Sequence, residues 1–193
     1  MSNRIWAQIE IGGNIPAAKL QDLAHELSQE CFEEGGPQKN DIDSWIQHIR
    51  DTAEQDSTLE LIDSSASWGM FDLEFWLLKN DVTFVRQCEA DGEYDGEYVW
   101  HVQGTPNNES KHATKSCDGK NVIDWDAVVV ALNIIEEIPT LEEAALRVND
   151  TNVSGLIAKE ALRTGEINPA HLLRHWLNEY YPDPPDVPAL TIM

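Results

Sequence analysis

Residues 4–11, RIWAQIEI, place Ile5, Ala7, Ile9 and Ile11 at every second position, with Trp6, Gln8 and Glu10 between them. Alternation of this kind belongs to a strand with one buried face, and such a strand must lie in a sheet whose apolar side is covered. Gly12–Gly13 is expected to stop it. The period then changes. Pro16 suits a first helical turn, and Leu20, Leu23, Ala24, Leu27 and Cys31 recur at helical spacing before Gly35–Gly36–Pro37. Asp41 can cap a second helix with Ile42, Trp45, Ile46 and Ile49 on its apolar side. Further strands are expected at 58–63, 82–88 and 96–102, with a helix from Phe71 to Asn80 between the first two.

Beyond residue 103 the chain changes character. Gly104–Asn121 is polar and irregular and reads as a loop or connection. Helices are expected at about 124–138, from the capping-box start Thr140-Leu-Glu-Glu143, at 152–164 before Gly165, and from Asn168-Pro169 to Tyr181. The resulting fold class is α/β (α+β). A small mixed sheet in 1–103 carries helices mainly on one face; 104–121 connects it to a helical portion at 122–181, and 182–193 is a proline-rich extended tail.

Seven tryptophans and 41% apolar residues favour a folded globule over a disordered acidic chain. The strongest apolar run, Val128–Leu132, is far short of a membrane helix, and the first residues lack the basic and apolar regions of a signal peptide. Cys31, Cys88 and Cys117 are odd in number and widely spaced, against a disulfide framework or a CxxC zinc site. A cytoplasmic protein without a membrane or cofactor partner is therefore expected.

The net charge is −22, from 35 acidic and 13 basic side chains. Charge of this size repels nucleic acid and anionic membranes and attracts basic partners. Segment 61–110 holds ten acids against two bases, so the excess is densest in the middle rather than in a tail. At its centre lies EADGEYDGEYVWH, residues 89–101, with Glu89, Asp91, Glu93, Asp95 and Glu97 at every second position. Asp91, Glu93, Asp95 and Gly96 match the start of a calcium loop, but the twelfth position is Val102 where a bidentate Glu is required. A hairpin suits the segment better, with Gly92 and Gly96 at its turn.

Along an extended strand, alternate side chains share a face at roughly 6.6 Å spacing, so the acids would form a row of like charges. That row is either a solvated edge or an imitation of the phosphates that Lys and Arg bind in nucleic acid. Tyr94, Tyr98 and Trp100 beside it could stack on arginines. The expected partner-binding set is therefore Glu89, Asp91, Glu93, Tyr94, Asp95, Glu97, Tyr98 and Trp100.

Catalytic signatures are sparse. His171 and His175 share a helix face with Glu179 one turn on, a metal half-site, but Leu172 stands where a zinc protease needs its Glu. Asp124 and Asp126 read as helix-start charge. His101, Cys88 and Cys117 could form a thiol site only if the fold assembled them. GxSxG, P-loop and GxGxxG motifs are absent. No metal, cofactor or catalytic residue is assigned. The function expected is a non-enzymatic acidic protein that engages and inhibits a basic protein or nucleoprotein complex without binding nucleic acid. Its charge logic is that of anti-restriction, anti-CRISPR and immunity-type inhibitors. The alternatives are a small cytoplasmic enzyme with a site built from the 89–121 loops, and an acidic housekeeping protein whose charge reflects habitat.

Overall fold

The computed structural model describes residues 4–67, 69–90, 96–115 and 125–193. It divides into two compact units, one of Met1–Lys120 with Pro184–Met193 and one of Asn121–Asp183.

In the first unit, β1 (Arg4–Ile15) lies between β2 (Leu59–Ser67) and β3 (Thr83–Cys88); β4 (Gly96–His101) and β5 (Lys111–Lys115) continue the sheet in the order β2-β1-β3-β4-β5. All these pairs are antiparallel, and β6 (Leu190–Ile192) adds to Gly13–Ile15 in parallel. The sheet is thus mixed, as expected, but six-stranded rather than four-stranded. The alternation in β1 is realised in full: Ile5, Ala7, Ile9 and Ile11 are buried. They join one core with Leu20, Leu23 and Leu27 of α1 (Leu20–Gln29), Trp45 and Ile49 of α2 (Ile42–Glu54), and Leu73 and Leu77 of α3 (Leu73–Lys79). Facing residues of paired strands share a side of the sheet. Leu61, Ile9, Arg86, Val99 and His112 therefore form one inward row. Gln8, Gln87, Tyr98 and Ala113 form an outward one, as do Glu10, Val85, Trp100 and Lys111.

The two added strands come from segments whose sequence hides them. β5 lies inside 104–121, where Lys111, His112 and Thr114 offer little apolar alternation and, among the described residues, only Ala113 is buried. β6 lies in the tail, and it explains why β1 runs through the glycines that were expected to end it. Gly12 has no side chain where a Cβ would stand 1.9 Å from the Pro188 carbonyl oxygen. The Gly13 amide donates to that same carbonyl at 3.1 Å, the Leu190 amide donates to Ser57 at 2.8 Å, and Leu190 enters the core. The glycines admit the returning tail rather than turn the chain.

The second unit is helical: α4 (Trp125–Glu136), α5 (Leu141–Arg147), α6 (Val153–Thr164) and α7 (Pro169–Tyr180). Ala131, Ile135, Ile138, Ala144, Ile157, Ala161, Leu172 and Trp176 are among its core residues. The expected caps are present. Thr140 Oγ1 accepts from the Glu143 amide, Asn168 accepts from the His171 amide, and Gly165 ends α6 at φ 74°. Among the described residues of this unit, one charged group is buried. The Glu160 carboxylate, 3% exposed, receives Arg163 through both oxygens at 2.6 and 2.7 Å and His171 Nε2 at 2.7 Å.

Those hydrogen bonds, from Arg163 first and then His171, hold the Glu160 carboxyl down at about 2. A folded value below the ordinary one of 4.5 stabilises the unit above that ordinary value. The stabilisation is lost as pH falls from about 4.5 towards about 2. Protection of the α6 and α7 amides against hydrogen exchange, taken relative to the intrinsic exchange rate at each pH, is expected to fall over that window in the native chain. Glu160→Gln is expected to lack this acid-dependent component; identical profiles for the two would contradict the assignment.

Candidate partner-binding face

Among the described residues, the expected binding set separates onto different sides of the sheet. Glu89 follows β3; its amide donates to the Trp6 carbonyl at 3.1 Å and its side chain is exposed. Tyr98 is on the outward side, its hydroxyl donating to Gln87 Oε1 at 2.8 Å. Trp100 also faces outward yet is only 3% exposed, so little of its indole is open to a partner. Asp91, Glu93, Tyr94 and Asp95 lie outside the described residues, and so does the start of the calcium-like loop.

Glu97 faces the other way. It lies opposite Cys88 on the inward side, and its carboxylate receives Arg86 Nη2 at 2.6 Å and contacts His112 Nδ1 at 3.1 Å. Arg86 is 1% exposed, between Ile9 and Val99 in the inward row. Its Nη1 donates to the Gly69 carbonyl at 2.8 Å. Its Nε lies 2.9 Å from Glu74 Oε1 of α3, an ionic contact in which the N–H does not point along the contact. Glu74 Oε1 also accepts from the Phe71 amide at 3.0 Å. The two carboxylates respond differently. Burial raises Glu74 above the usual carboxylate range against the pull of Arg86. At Glu97 burial acts upward too, but the hydrogen bond and charge of Arg86, helped by His112, outweigh it and leave the carboxyl lowered. Glu97 is therefore part of what holds the sheet together.

The other candidate groups are similarly engaged. His101 contacts Asp81 Oδ1 through Nε2 at 2.9 Å and the Glu109 carbonyl through Nδ1 at 3.1 Å. It pairs with Phe84, whereas Cys88 pairs with Glu97, so His101 and Cys88 stand about 13 Å apart along the ladder. Cys117 is outside the described residues, as is Asp124. His171 is committed to Glu160. Among the described residues, no group of three His, Cys, Asp or Glu side chains is placed to hold a metal ion. No described helix is long and apolar enough to cross a membrane.

Open acidity is found instead on α2. Trp45 and Ile49 face the core, so Asp43, Gln47, Asp51 and Glu54 face outward and are exposed, with Asp56 just beyond. Asp41 caps the helix, accepting from the Ser44 amide at 3.1 Å and its hydroxyl at 2.7 Å. Gln47 donates to Asp51 at 2.7 Å. Among the described residues, no ion pair reaches Asp43, Asp51, Glu54 or Asp56. The i, i+4 spacing of Asp43, Gln47 and Asp51 was available in the sequence; it was overshadowed by the denser run at 89–97. Comparison with protein-family models, curated proteins and solved structures finds no match to this chain.

Arg86 supplies the test of this geometry. Arg86→Met leaves Glu74 and Glu97 facing a core without their cation, and removing one partner of such a set costs roughly 3–5 kcal/mol. Chemical denaturation is expected to show a loss of that size. Adding Glu74→Leu to Arg86→Met should restore much of it, because the charge stranded in the core is then gone as well. A loss below about 1 kcal/mol for the single variant would contradict the role given to Arg86.

Proposed function

We propose that this chain is a non-enzymatic acidic binding protein that engages and inhibits a basic, nucleic-acid-handling protein or complex. The observation that carries the reading is a net charge of −22 on a folded chain whose outward carboxylates on α2 have no ion-pair partner among the described residues. Asp43, Asp51 and Glu54 outnumber the exposed Arg50 that shares their helix, so α2 keeps a net negative face that a basic surface complements on binding.

The spacing is compatible with imitation of nucleic acid. Asp43 to Glu54 covers about 17 Å of helix axis at 1.5 Å per residue, close to five base-pair steps of about 3.4 Å. A helix fixes the backbone positions of its carboxylates, so no backbone ordering is left for the moment of binding. In this reading Glu89, Asp91, Glu93 and Asp95 add to the acidity that a partner meets, with Tyr98 offering aromatic contact to arginines. Glu97 contributes through Arg86, by fixing the strand that follows the acidic run.

The test is capture on the immobilised chain, with two charge-reversed baits. One carries Asp43→Lys, Asp51→Lys and Glu54→Lys; the other carries Asp91→Lys, Glu93→Lys and Asp95→Lys, with Glu97 left in place. The native chain is expected to retain a basic protein that also binds duplex DNA, and excess duplex DNA should release it. At least one reversed bait, with an unchanged circular dichroism spectrum, should lose about tenfold or more in affinity. Full retention by both folded variants, or retention that DNA does not disturb, would overturn the proposal.

A further inference from the structure

A hollow of about 300 Å³ opens on the outward side of the sheet, at the small end of the range for ligand clefts. Its base is built from neighbouring strands: Gln8 of β1, Gln87 of β3 and Tyr98 of β4 are in register, with Glu10 two residues along β1. Its wall is the returning tail at 184–187, which contributes Asp186. The wall is fixed by the backbone bonds that follow it, from Gly13 to Pro188 and from Leu190 to Ser57.

The chemistry of this hollow is one-sided. Two carboxylates, two primary amides and a phenol line it, and none of its lining residues is basic. Glu10 Oε1 accepts from the Thr58 hydroxyl at 2.8 Å, which orients the carboxylate and leaves its second oxygen to another donor. Tyr98 is likewise oriented, through its hydroxyl on Gln87. Several acceptors and an aromatic ring around a small cleft suit a planar cation with many donors. A guanidinium has five N–H groups in a fixed fork, stacks on aromatic rings and loses less hydration than an ammonium.

We propose that this hollow is a socket for an arginine side chain of the basic partner. The inference rests on the functional reading above and gives it a central anchor. Broad acidity sets approach and orientation, whereas a buried arginine held by carboxylates is the kind of contact that carries most of an interface's affinity. Glu10 and Asp186 hold the guanidinium, the Gln8 amide oxygen accepts from it, and the Tyr98 ring covers one face.

The test uses the chain alone, with Nα-acetyl-arginine methylamide as the probe and the side-chain amide signals of Gln8 and Gln87 as the readout. The corresponding citrulline compound keeps the shape without the charge, and the lysine compound keeps the charge without the fork. Saturable shifts are expected with the arginine compound in the millimolar range, at least about tenfold weaker with either analogue. Glu10→Gln and Asp186→Asn, combined, should weaken the arginine compound by a similar factor. Glu10→Gln retains the acceptor for Thr58, and Asp186 is exposed, so the folded spectrum is expected to persist. No saturable shift, equal binding of the citrulline or lysine compound, or unchanged binding by the double variant would overturn the socket. None of these outcomes involves the partner. A failed socket therefore leaves the bait experiment to decide the broader reading, and a failed bait experiment leaves arginine binding to stand by itself.

Discussion

A guanidinium buried beneath a sheet is the constraint around which the first unit is arranged. Arg86 sits in the inward row beside Ile9 and Val99, where an unpaired charge would be intolerable. Three elements answer it: the Gly69 carbonyl after β2, Glu74 from α3, and Glu97 from β4. Each of these must arrive in one register for the cation to be satisfied. The set is weak evidence for stability as such, since apolar residues could replace it. Its effect is selective. A one-residue slip of β4 would carry Glu97 to the outward side and leave Arg86 short of a carboxylate.

That register sets the side of the sheet that each β4 side chain takes. Glu97, the last member of the acidic run, is committed inward, and the side chains next to it, Tyr98 and Trp100, are thereby set outward. The same pleat places Gln8, Glu10 and Gln87 on the outward side, where the tail returns past Gly12 and closes a hollow over them. One buried cation thus bears on which side of the sheet Glu97 takes and on where a pocket can form.

Much of the fold was legible because it rests on local pattern. The alternation of β1, the apolar stripe of α2 and the caps at Asp41, Thr140, Asn168 and Gly165 appear where sequence places them; α1 turns Leu20, Leu23, Ala24 and Leu27 inward as expected but ends at Gln29, which leaves Cys31 outside the helix and exposed. β5 and β6 were not legible, because both are held by partners distant in sequence. β5 is polar and pairs with an already paired β4; β6 is three residues long and depends on two glycines far upstream making room for Pro188. The site was harder for the same reason. Regular spacing in 89–97 suggested one face for all five acids, but spacing says nothing of a buried cation eleven residues before Glu97. Arg86 is one of only two bases in 61–110, and that scarcity was the available signal. The hollow requires three strands and the tail together, which no local window contains.

The account depends most on electrostatic attraction between this chain and a basic protein, and the association rate reports on it directly. Mixing the chain with its captured partner over a salt series should give a rate constant that falls at least about tenfold between about 20 and 200 mM salt, with dissociation much less affected, because steering acts over a Debye length that shrinks from roughly 20 Å to less than 10 Å. An association rate that stays level across the same series would contradict it.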